Sequence, residues 1–191
     1  MTTITTTAPR LMTADELLAL PKRDMLHELI DGELRTMAPA GERHGEIGIA
    51  LARVLSNHVF DHRLGRVYGA DTGFRLRRDP DTVRAPDVAF VDQTRLQGPV
   101  GGPKYFEGAP DLAVEVLSPN DSVIDLEDKL ADFFAAGCRL AWVVNPHRDT
   151  LTVYIPPGTP VRVLGLDDVL DGGDVVPGFS HCVRDLLYWP V

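Results

Sequence analysis

Cysteine is scarce in this chain: Cys138 and Cys182 are the two present among 191 residues. They fall in different expected elements and lack metal-ligand spacing, so both read as packing thiols and exclude a disulfide framework. Long apolar runs are missing as well. No stretch approaches the ~20 consecutive apolar residues of a membrane helix, and the threonine-rich start "MTTITTTAPR" contains no hydrophobic signal segment. A cytoplasmic protein without a membrane partner is expected. An excess of basic charge is also lacking, because 19 Lys and Arg against 28 Asp and Glu leave a net charge of -9. That balance argues against holding nucleic acid by bulk electrostatics. No zinc finger, helix-turn-helix signature or set of stacking aromatics offers a base-reading element, and no repeat or Gly/Ser-rich linker divides the chain. The expectation is a flexible tail over residues 1–10 and a single domain over 11–191, long enough to bury roughly 70% of its unfolded surface.

What is present has a legible order. "TADELLAL" reads as a short helix with a capping box between Thr13 and Glu16. "LHELIDGELRTMAP" reads as a strand hairpin turning at Asp31-Gly32. From "GERHGEIGIALARVLSNHVF" the apolar residues Ile47, Leu51, Val54 and Leu55 predict a long helix that Gly65 should stop. Two strands, "GRVYGADTGFRLRR" and "VRAPDVAFVD", are expected around Asp79, Pro80 and Asp81, with "DLAVEVL" as a third. "DLEDKLADFFAAGC" predicts a second helix ended by Gly137, and "LAWVVNP" and "TLTVYIP" two further strands. From Pro156 onward, loops and short strands are expected to close the domain. The fold class is α/β (α+β). Arginines 63, 66, 75, 77, 78 and 84 cluster locally and suit either a phosphate-facing patch or a solvated face.

One residue in this layout needs explaining. Glu115 stands between Val114 and Val116 in a run that otherwise reads as a buried strand. A charge there costs several kcal/mol unless a cation compensates it. Asp111, four residues back on the same strand, lies roughly 13 Å away at ~3.3 Å per residue and is too far to share a metal with it. Asp87, after Pro86 on the preceding strand, can converge with Glu115 because neighbouring strands lie ~4.8 Å apart. Converging carboxylates repel unless a divalent cation fills the gap, which makes the pair a candidate Mg2+ site.

Helix, strands carrying "PD", a strand carrying a glutamate, helix and strand together resemble the core of the PD-(D/E)XK nuclease superfamily, in which a mixed central sheet is flanked by helices. More narrowly, "HELIDGEL", "APDVAFVD", "PDLAVEVLSPND", "DLEDKLADFFAAG" and "GGDVVPGFS" are similar to successive blocks of the Uma-two family of restriction endonuclease-like bacterial proteins. The lysine of the superfamily motif, two residues after the glutamate, is here Leu117. The family's "D-x-x-x-K" pattern instead matches Asp125 and Lys129, which implies a lysine moved onto the helix. Helix geometry is compatible with that role, since Leu126, Leu130, Phe133 and Phe134 form the buried stripe and Lys129 sits at its edge. Asp128 and Asp132 should face outward. A snorkelling lysine is the plain alternative.

The resemblance implies a metal-dependent endonuclease acting on nucleic acid, with DNA as the expected substrate. Asp87 and Glu115, with the backbone carbonyl of Val116, would hold Mg2+ or Mn2+, and Lys129 would orient the attacking water. His44 and Glu33, in blocks that match the family, are secondary candidates. Glu46 points off the apolar face of its helix. A homodimer is expected of an enzyme that cuts both strands, and Phe179, Tyr188 and Trp189 suit either core or contact. The alternative is a noncatalytic regulatory or nucleic-acid-binding module on a nuclease-like fold.

Overall fold

The computed structural model describes residues 10–21, 25–96, 104–119 and 121–188. The tail expected over residues 1–10 lies outside them except for Arg10, as does Trp189. The first helix, α1 (Ala14–Leu18), starts with the expected capping box, in which Thr13 and Glu16 exchange side-chain and backbone hydrogen bonds. Strands β1 (Leu26–Ile30) and β2 (Glu33–Met37) form the expected hairpin. Both turn residues have positive φ, 50° at Asp31 and 79° at Gly32, as a two-residue turn matching strand twist requires.

The region after the long helix differs from expectation. The two strands read from residues 65–78 and 83–92 are four: β3 (Gly65–Gly69), β4 (Phe74–Arg77), β5 (Thr82–Arg84) and β6 (Val88–Asp92). A turn closed by the Thr72 N–H on the Gly69 carbonyl splits the first, and Pro86, which has no N–H to give a ladder, splits the second. Each half joins a different sheet. The hairpin therefore does not stand alone but heads a five-stranded sheet of order β2-β1-β5-β4-β7, with β7 at Phe106–Glu107.

The main sheet has six strands in the order β11-β10-β9-β8-β6-β3, with β8 at Leu112–Val116, β9 at Leu140–Asn145, β10 at Thr150–Ile155 and β11 at Thr159–Leu164. Of its pairs, β8 and β9 are parallel and the rest antiparallel. The parallel pair needs a crossover, which α3 (Val123–Ala135) supplies. This helix begins two residues before the expected Asp125, because the Ser122 side chain caps it and its first residues, Val123 and Ile124, lie exposed off the apolar stripe.

Helix α2 (Glu42–His62) ends at Arg63, in the left-handed conformation, and not at Gly65. Gly65 instead lets β3 approach β6, since a Cβ there would sit 2.0 Å from the Val91 carbonyl oxygen. Near the C-terminus a two-stranded ribbon, β12 (Val169–Asp171) with β13 (Ser180–Cys182), leads into α4 (Val183–Leu187), a short helix absent from the sequence expectation.

Helices α2 and α4 cover one face of the main sheet. Ile47, Leu51 and Leu55 pack there on Val114 and Val116 of β8 and on Trp142 of β9. Helix α3 covers the other face, where Leu130, Phe133 and Phe134 meet Ala113, Ala141 and Val143. Successive strand residues alternate faces. With Leu112, Val114 and Val116 committed to the α2 side, Ala113 and Glu115 are turned toward α3. The architecture is thus mixed α+β, with sheets flanked by helices. Among the described residues no helix is long and apolar enough to cross a membrane.

Candidate active site at the end of the central strands

Glu115 is buried, with 8% of its surface exposed, and its compensating cation is Lys129. Both carboxylate oxygens lie 2.9 Å from Lys129 Nζ, which donates a hydrogen bond to Oε2. Oε1 is left buried without a hydrogen bond. Lys129 also donates to the Ala85 carbonyl at 3.1 Å. The edge position of Lys129 on the stripe of α3 has this physical meaning: its stem runs along packed surface while its ammonium reaches the charged residue on the facing strand.

The antiparallel register of β6 on β8 pairs Val88 with Val114. Asp87, one residue before Val88, is therefore level with Glu115. The Val116 N–H donates to Asp87 Oδ2 at 2.8 Å, and His44 Nε2 lies 3.1 Å from the same oxygen. His44 belongs to the first turn of α2 on the other side of the sheet, and it reaches Asp87 because Asp87 stands at the sheet's end. The structure thus brings Asp87, Glu115, Val116, Lys129 and His44 together. Glu33 is not among them: it lies exposed on β2 with Arg35, 3.7 Å away, as its neighbour. Glu46 is on the surface, paired with Arg43.

Two further residues join the cluster: Glu28, which was not singled out by the sequence, and Arg84, which is buried in ion pairs and does not line the phosphate-facing or solvated arginine face read from the sequence. Glu28, only 2% exposed, points from β1 to the side opposite Leu29, and its Oε1 lies 3.3 Å from Lys129 Nζ. Oε1 also accepts the Ala85 N–H at 2.8 Å, while Oε2 accepts from Arg84 at 3.1 Å. Arg84 in turn donates twice to Asp132 Oδ2, at 2.9 and 2.7 Å. Asp132 accordingly does not face outward as expected, because the hairpin sheet covers that flank of α3. A signal for Glu28 was available: a glutamate next to Leu29 and Ile30 raises the question that Glu115 raised.

Burial pushes the Glu115 carboxyl up to about 8, against the pull of the Lys129 ammonium and with Asp87 adding to the rise. For Lys129 burial works against the charge, but Glu115 and Glu28 outweigh it and hold the ammonium well above its ordinary range. Lys129 is therefore charged and Glu115 is proton-hungry. The hydrogen bond to Asp87 raises His44 in spite of partial burial.

Among the described residues no three His, Cys, Asp or Glu form a ready metal cage. The donor set nevertheless suits Mg2+, which is commonly held by one or two carboxylates together with water and substrate phosphate. Asp87 and Glu115 are such a pair, and Oε1 of Glu115 makes no hydrogen bond, its near partner being the Lys129 ammonium at 2.9 Å.

Residues 14–187, nearly the whole chain, match the Uma2 family, described as "Putative restriction endonuclease". The chain belongs to the Uma2 family. A crystal structure from Anabaena variabilis, described as a putative nuclease belonging to DUF820, shares the fold with a TM-score of 0.79. It is 23% identical in sequence, and the alignment covers 92% of this chain and 97% of that one. No curated protein matches. Uma2 membership and the shared fold bear out the family resemblance and the mixed α+β layout read from the sequence.

Proposed function

We propose that this protein is a divalent-metal-dependent endonuclease that hydrolyses phosphodiester bonds of DNA. One observation carries the reading: two acidic groups and a largely buried lysine ammonium meet at one sheet end. Asp87, Glu115 and the Val116 carbonyl would hold Mg2+ or Mn2+. A bound ion supplies Lewis-acid polarisation of the phosphate and acidifies a bound water.

The chain's own residues do the rest. The Val116 N–H and His44 fix the orientation of Asp87. Lys129 has three N–H donors and spends two on Glu115 and Ala85. With Glu28 Oε1 also 3.3 Å from Nζ, the ammonium would act through its positive charge, orienting the attacking water and stabilising the charge that builds on phosphorus. Glu115, whose carboxyl pKa burial raises, would hold a cation as the deprotonated carboxylate. A homodimer working in the cytoplasm completes the proposal, with sedimentation as the check on assembly.

The second reading, a noncatalytic module, is favoured by the closed appearance of the Lys129 ion cluster and by the net charge of -9. Calorimetric titration of Mn2+, followed by plasmid cleavage in Mg2+ or Mn2+, separates the two. The endonuclease reading expects heat and cleavage from the wild type and neither from Asp87→Asn. Intact plasmid, single-stranded DNA and RNA after incubation with metal-saturated wild type would refute it.

A further inference from the structure

We infer that Glu28 is a positioning residue that aims the Lys129 ammonium at the Glu115 end of the site; its use in cleavage rests on the proposed function. The need arises because the lysine comes from α3. A lysine two residues beyond Glu115 would share that glutamate's strand and face, whereas the residue there is Leu117. Lys129 must instead span from helix to sheet on a flexible stem, whose rotamer freedom works against any single placement.

The surroundings remove that freedom. Glu28 approaches Nζ from the hairpin sheet at 3.3 Å, while Glu115 holds it from the main sheet and the Ala85 carbonyl from the connection between β5 and β6. Glu28 is itself immobilised: its Oε1 takes the Ala85 N–H and its Oε2 takes Arg84. Arg84 then grips Asp132, three residues along α3 from Lys129 and so on neighbouring helix surface. The result is a closed loop, Lys129 to Glu28 to Arg84 to Asp132 and back through the helix, which registers α3 against the hairpin sheet. Both Glu28 oxygens are occupied by protein donors, so Glu28 is assigned to the ammonium and not to a metal.

The test uses the full chain and the variant Glu28→Gln, which keeps the shape and removes the charge. Limited acetylation with acetic anhydride, read by mass spectrometry, measures how firmly Lys129 is held, with exposed Lys104 as internal standard. Labelling of Lys129 relative to Lys104 should rise roughly tenfold in the variant, the order expected from losing one largely buried charge contact. In plasmid cleavage the variant should lose about 10²-fold in kcat, the effect of misplacing a reacting group by an ångström, with KM and Mn2+ affinity held. Unchanged Lys129 labelling overturns the inference, whether or not the protein cuts DNA. Loss of Mn2+ binding in Glu28→Gln also overturns it, by making Glu28 a metal ligand. A wild type that cuts nothing refutes the nuclease reading and leaves labelling to decide the clamp. If Glu28→Gln fails to fold, Arg84→Lys carries the test, since it frees Glu28 from its bridge to Asp132 and should raise Lys129 labelling in the same direction.

Discussion

Glu115→Gln should change how the stability of this protein depends on pH. The folded protein holds the Glu115 proton up to about 8, whereas the ordinary value is 4.5. Below 4.5 both folded and unfolded chains carry the proton and the group's stabilising contribution is complete. As pH rises the unfolded chain releases its proton first, so stability falls through the window until the folded carboxyl also ionises near 8. One proton held only by the native state gives a slope of ~1.4 kcal/mol per pH unit, or about 3 to 4 kcal/mol between pH 5 and 8. For a chain of this length each kcal/mol moves Tm by roughly 2–4 °C, so the wild type should lose on the order of 10 °C across that range. Glutamine cannot ionise, so the variant should lose much less. His44, raised by Asp87, also contributes stability below its ordinary 6.5 that fades as pH rises. The main cause of its rise, Asp87, is present in both proteins and Glu115 adds only the smallest part, so the difference between them reports mainly on Glu115. Thermal melts followed by circular dichroism at pH 5, 6, 7 and 8, with EDTA present to exclude metal, measure this. Parallel curves for wild type and variant, or a wild-type Tm that does not fall, would refute the burial argument.

Arg84→Met should cost about 3–5 kcal/mol, because it leaves Glu28 and Asp132 without their shared cation in a largely buried place; urea denaturation midpoints measure the loss. Lys129→Met should abolish plasmid cleavage, and adding Leu117→Lys should restore part of it, since residues 115 and 117 share a strand face. A double variant as inactive as the single one would argue that the helix position itself is required. Glu33→Ala should leave cleavage unchanged and stability within ~0.5 kcal/mol, as expected of an exposed side chain away from the cluster.

Much of this site was readable from residue spacing. Glu115 stood out because an apolar alternation has no place for an unpaired carboxylate, and Asp87 followed from strand separation alone. Lys129 needed the family pattern to be picked out, after which the 100° step of a helix put it within reach. Glu28, and the buried pairing of Arg84, were missed for a different reason. Their meeting with Asp132 depends on the hairpin pairing with β5, a contact between residues more than fifty positions apart that registers at Leu29 with Val83. No local period encodes which sheet a short strand joins. The same limit explains the four strands read as two: Gly69 and Pro86 mark breaks, but a break does not say that the halves part company. Helix ends were set by Ser122 and by Arg63 in a left-handed conformation, single-residue features that a search for apolar stripes passes over.

The sheet that carries Glu28 is woven from chain on both sides of α2, and the cluster draws on residues 28, 44, 87, 115 and 129. During synthesis, then, no shorter piece of the nascent chain contains the cluster. A polypeptide leaving the ribosome presents Glu28 early, but the Lys129 ammonium arrives about a hundred residues later, and β9, the strand beside β8, later still. Reactivity of Lys129 in a pulse-labelled, translating or refolding chain would therefore mark the last stage of maturation.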